Sequence, residues 1–118
     1  MSENKYKAEK LLTFNDGVEY KARMSLDTCV RIEQATGFAM LGIASRLQDS
    51  QLTITQMIQI ITLGIRAGGN DVKEKDIKKL ISNIGLVETV TMCSELILLA
   101  LNVPQEDLGD EKKSEELS

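Results

Sequence analysis

No histidine occurs in this 118-residue chain. That removes the side chain most often used as a general base near neutral pH and as a zinc ligand. Only two cysteines are present, Cys29 and Cys93. They stand far apart inside apolar helical patterns, without the close second pair or nearby histidine of a structural zinc site, so buried reduced thiols are expected. Aromatic residues make up 3% of the chain, and none is interleaved with the lysine cluster of Lys73, Lys75, Lys78 and Lys79, which argues against a stacking platform for nucleic acid there. No run approaches the roughly 18 consecutive apolar residues of a membrane span. The polar, mixed-charge start at residues 1–10 is unlike a signal peptide. The single proline, Pro104, stands where a charged terminal run begins.

Charge is equally restricted in place. The formal net charge is −4, and the stretch after Pro104, with Glu106, Asp107, Asp110, Glu111, Glu115 and Glu116 against Lys112 and Lys113, accounts for all of it. The rest of the chain is balanced and has no basic field to attract phosphate, so no nucleic-acid partner is expected. Hydrophobic residues form 42% of the sequence and concentrate between Leu26 and Val103. The length suits one core that buries roughly two-thirds of the extended chain's surface. The expected organisation is a flexible N-terminus at 1–9, one α+β domain at 10–103 and an acidic, disordered tail at 104–118.

Lys10 to Met24 predicts a β-hairpin. Leu11, Leu12 and Phe14 precede Asn15-Asp16-Gly17, and Val18, Tyr20, Ala22 and Met24 then alternate with Glu19, Lys21 and Arg23. Two strands alone are marginal, so the hairpin must pack on helices or pair with another sheet. About five helices, packed as a small bundle, follow. Ser25 caps the first, whose expected face is Leu26, Cys29, Val30 and Glu33 and whose end is Gly37. The second covers about Phe38 to Gln48, with Ala39, Met40, Ile43, Ala44 and Leu47 on one stripe and Phe38 and Leu41 widening it.

Thr53 to Ala67 is the most apolar helix and opens with a capping-box pattern, Thr53 and Gln56. Its clear polar positions are Gln56, Gln59, Thr62 and Arg66. An interior glycine, Gly64, costs about 1 kcal/mol relative to alanine and is best explained by close approach of another element. Gly68-Gly69-Asn70-Asp71 breaks the chain but lacks the lysine and hydroxyl of a nucleotide-binding loop. Lys73 to Asn83 then buries Ile77, Leu80, Ile81 and Ile84, and turns Glu74, Lys75, Asp76, Lys78, Lys79 and Ser82 to solvent, with Glu74 and Lys78 spaced to pair. Leu86 to about Leu101 is apolar apart from a narrow stripe of Glu88, Thr91 and Glu95.

Nothing in this pattern is a catalytic constellation, and no cofactor or metal site is expected. The two most apolar helices, 53–67 and 86–101, carry more apolar surface than a half-exposed helix needs. A binding role is therefore expected for them. Ile61, Ile65, Leu96 and Leu99 are the candidate apolar contacts, and Glu33 and Arg66 the candidate polar ones.

From Phe14 to Leu101 the order of features resembles the small tail assembly chaperone family of long-tailed phages and gene transfer agents, some members of which are named tail tube proteins. The resemblance rests on Asp16-Gly17, Met24-Ser25-Leu26, Ile32-Glu33 followed by Thr36-Gly37, and Leu63-Gly64-Ile65-Arg66-Ala67-Gly68-Gly69. Glu88, Thr89 and Thr91 depart from the alanine-richer final helix of the family. The resemblance implies an α+β fold, binding of the tape-measure protein, help in assembling tail-tube protein around it, and the cytoplasm of a bacterial host. Its structural counterpart is a tail-tube or connector subunit retained in the particle. Self-association is compatible with either role.

Overall fold

The computed structural model describes residues 8–102. The expected acidic tail lies outside the described residues, as does the expected flexible start except for Ala8 and Glu9. Strands β1 (Glu9–Thr13) and β2 (Glu19–Arg23) pair antiparallel, from Glu9 opposite Arg23 to Thr13 opposite Glu19. A short 3-10 turn at Asn15–Gly17 joins them, with Gly17 at a φ of 76° and Phe14 N donating to Val18 O at 2.7 Å. The pleat sends Ala8, Leu12, Phe14, Ala22 and Met24 into the core. It sends Leu11 outward, 57% exposed, so the adjacent leucines of the expected hairpin part company.

Five helices follow: α1 (Leu26–Thr36), α2 (Met40–Gln48), α3 (Ile54–Ala67), α4 (Glu74–Ile84) and α5 (Leu86–Asn102). Ser25 Oγ accepts from Thr28 N at 3.2 Å to start α1, and Gly37 closes it in the left-handed conformation while its N–H donates to Glu33 O. The buried face is Thr28, Cys29 and Ile32. Val30, expected on that face, is exposed, because it lies about 100° around the helix from Cys29. Helix α2 begins two residues later than expected, since Ala39 is still extended and offers no side-chain cap. Phe38 stays outside the helix, half-buried, with the Arg46 guanidinium 3.9 Å above its ring.

Helix α3 is the central element, touching β2, α1, α4 and α5. Both halves of its capping box form: Gln56 N donates to Thr53 Oγ1 at 3.1 Å and Thr53 N to Gln56 Oε1 at 3.0 Å. Thr62, one of the clear polar positions of this helix, is buried, and its hydroxyl has no hydrogen-bond partner among the described residues. Gly64 packs beneath Met24, Ala22 and Leu96. Its neighbour Gly68 meets a harder constraint, because a Cβ there would collide with the backbone carbonyl of Lys21.

The α3–α4 connection is thereby pressed against β2. Asn70 Nδ2 donates to Lys21 O at 3.0 Å and lies 3.2 Å from Ile65 O, so one amide ties the end of α3 to the strand. Helix α4 is opened by Asp76, which accepts from Lys73 N at 3.0 Å and is not simply solvent-facing. Ile77 and Ile81 are buried as expected, whereas the anticipated Glu74–Lys78 pair is not among the ion pairs formed. Gly85, at a φ of 88°, ends α4, and α5 leaves at 120° to it. No single described helix is long and apolar enough to cross a membrane.

Candidate interaction site

Of the four apolar candidates named from sequence, Ile61, Ile65 and Leu96 have no exposed surface. They belong to the buried core itself. Leu99 is half-buried against it. The two polar candidates are also engaged within the chain. Glu33 Oε2 accepts from Met40 N at 2.9 Å, supplying the cap that Ala39 cannot. Arg66 Nε donates to Val72 O at 2.7 Å and braces the connection to α4.

The exposed apolar surface lies elsewhere, chiefly on α5. Val87 (79% exposed), Val90, Leu98 (55% exposed) and Leu101 recur at helical spacing, with Ser94 among them. This stripe is distinct from the buried face of Thr89, Met92, Cys93, Leu96 and Ile97 and from the polar row of Glu88, Thr91 and Glu95. Alongside it runs α2. Ala44, Leu47 and Gln48 of α2 face Ser94, Ile97 and Leu98 of α5 across a groove of about 290 Å³.

The groove follows from side-chain size. Ala44 and Ser94 are short, so the helices meet at their larger neighbours and leave a trough over the small ones. Leu41, 72% exposed, is three residues before Ala44 and so lies on the same side of α2. The sequence signal was present in the apolar residues on both sides of the polar row of α5. Periodicity alone does not say which side faces inward.

Neither cysteine lies in this groove as a reactive group. Burial raises the Cys93 thiol from its ordinary value to about 12. The Cys29 thiol is raised too, by burial first and by the nearby Glu33 charge second. Both are free thiols. Among the described residues no group of cysteine, aspartate and glutamate side chains could hold a metal ion. What the arrangement offers is apolar shape.

A family model described as phage tail tube protein, GTA-gp10, matches residues 9–102. The chain belongs to this family. The match begins at the first residue of β1 and ends at the last residue of α5, so the entire described α+β unit apart from Ala8 is the family's unit. The family is one of non-catalytic tail proteins, and its members' setting is the phage-type tail, which accords with a site built for contact. No curated protein and no solved structure matches the chain significantly.

Proposed function

We propose that this protein takes part in building a phage-type tail by docking: the trough between α2 and α5 receives an apolar helix of another tail component. The observation that carries this reading is the exposed apolar stripe of Val87, Val90, Leu98 and Leu101, interrupted only by Ser94, beside the groove. Solvent-exposed apolar surface organised along one helix is the usual mark of a protein-binding face. The family's description as a tail tube protein favours a structural subunit that stays in the tail beside its neighbours.

A second reading is supported by the groove's suitability for a helix. In it the occupant is an apolar helix of the tape-measure protein, the chain is a tail assembly chaperone in the host cytoplasm, and it leaves once tail-tube protein has assembled. Quantitative mass spectrometry of purified particles separates the two. Stoichiometric retention is expected for the subunit, and absence from particles together with copurification of a co-expressed tape-measure fragment for the chaperone. Absence from particles without binding to either tail component would sink both.

A further inference from the structure

The two edges of the hairpin are unequal. Met24 N donates to Ala8 O and Phe14 N to Val18 O, which fixes the even-numbered residues of β1 as those bonded to β2. By the alternation of an antiparallel ladder, the N–H and C=O groups of Glu9, Leu11 and Thr13 point away from β2, as those of Glu19, Lys21 and Arg23 point away from β1. On the β2 side Asn70 covers Lys21 O and Gly68 packs on the same carbonyl. On the β1 side no hydrogen bond to the outward backbone groups of Glu9, Leu11 or Thr13 is formed among the described residues.

The guards of this open edge are modest, a strand of only five residues carrying Glu9 and Lys10. It holds no proline, and its two charges are already compensated: Glu9 lies 3.9 Å from Lys21 and Lys10 lies 3.7 Å from Glu95. Leu11 stands exposed at its centre.

We propose that β1 pairs antiparallel with β1 of a second copy of this chain, joining two hairpins into one four-stranded sheet about a twofold axis at Leu11. The register is set by the strand itself. With Leu11 facing Leu11 of the partner subunit, Glu9 faces Thr13 of the partner subunit, and every outward N–H and C=O of these residues meets its complement. No like charges are opposed, since Lys10 then faces Leu12 of the partner subunit. The exposed leucines become neighbours on the outer face, where a directly opposed apolar pair adds up to about 1 kcal/mol. This contact is independent of the α2–α5 groove and of which tail role the protein has.

Sedimentation velocity of the full chain over a wide concentration range tests it. The wild type is expected to approach twice its 13.1 kDa mass. Leu11→Lys, which sets two ammonium groups against each other on a solvent-facing position, is expected to weaken the dimer by about tenfold or more with an unchanged circular dichroism spectrum. If that variant does not fold, thiol cross-linking of Leu11→Cys with a short bis-maleimide decides. Side chains opposed in a hydrogen-bonded pair stand up to about 5.5 Å apart at Cβ, too wide for a disulfide but within the span of a short bis-maleimide, so a covalent dimer forms. Lys21→Cys on the covered edge forms none. A wild type that stays monomeric, a dimer indifferent to Leu11→Lys, a dimer broken by Leu98→Glu in its place, or a Leu11→Cys chain that the bis-maleimide does not join into a covalent dimer overturns the proposal.

Discussion

The Glu33 carboxylate accepts a hydrogen bond from the backbone N–H of Met40, seven residues on, at 2.9 Å. One side chain from the last turns of α1 therefore starts α2, whose own N-cap, Ala39, has nothing to offer. Glu33→Ala leaves an unsatisfied helix N–H, and a loss of about 1 kcal/mol is expected, read as a lower urea midpoint at unchanged slope. Glu33→Gln keeps an acceptor oxygen and is expected to recover part of that loss.

The two glycines near the end of α3 should respond in opposite ways to alanine. At Gly64 an added Cβ would meet Met24 Sδ at 3.5 Å and Ala22 Cβ and Leu96 Cδ1 at 3.7 Å, ordinary contacts in a helix interior. Gly64→Ala is expected to be tolerated and to gain up to about 1 kcal/mol from helix propensity. Gly68→Ala drives a methyl into the Lys21 carbonyl and is expected to cost about 1–3 kcal/mol. Thermal unfolding of the two variants checks the reversal, and equal effects would contradict this account of the α3–α4 connection.

Substitution on the groove should separate folding from binding. Leu98 is exposed, so Leu98→Glu is expected to change stability by no more than about 0.5 kcal/mol while abolishing copurification with the tail partner. Ile65→Ala empties a fully buried position and is expected to cost about 2–5 kcal/mol, losing the partner only through the fold. Partner capture that survives Leu98→Glu in a folded protein would rule out the groove as its site.

Cys93 makes stability depend on pH in the alkaline range. Its thiol ionises near 9.0 in an unperturbed setting and at about 12 in the fold. Between those values the unfolded chain releases a proton that the native chain retains, so the unfolded state is favoured as pH rises. The thiol's contribution is fully present below pH 9 and is lost progressively as the pH climbs toward 12. Cys29 adds to the same trend. Denaturant titrations across this window are expected to show a decline that Cys93→Ala makes shallower.

Local chemistry made much of the fold legible in the sequence. Ser25, Thr53 and Gln56 marked helix starts because their side chains bond backbone groups that any helix leaves unsatisfied, and Gly37 marked an end because the chain there needs a positive φ. The alternation of Tyr20, Ala22 and Met24 gave the strand its inner face. Partner-dependent features were less visible. Thr62 is buried only because α3 is contacted on several sides, and Leu96 and Leu98 differ by two positions yet sit on opposite sides of α5's contact with the bundle. The close approach expected to require a glycine at Gly64 is not there, since a Cβ would make only ordinary contacts, and it falls instead on Gly68, because β2's carbonyl row lies across the helix end and not its middle. Glu33 was visible as a borderline polar residue, but its task depends on how the chain folds back after Gly37.

The loop that lies against β2 also bears on how far association can go. Among the described residues Asn70 and Gly68 occupy the middle of the β2 edge at Lys21 O, which leaves each chain the β1 edge to give, a valence of one along the sheet. A twofold pair uses up that valence in both members, and the assembly closes. Loosening the cover at Gly68 and Asn70 would raise the valence to two, and head-to-tail growth without an end would become geometrically open to the same hairpin.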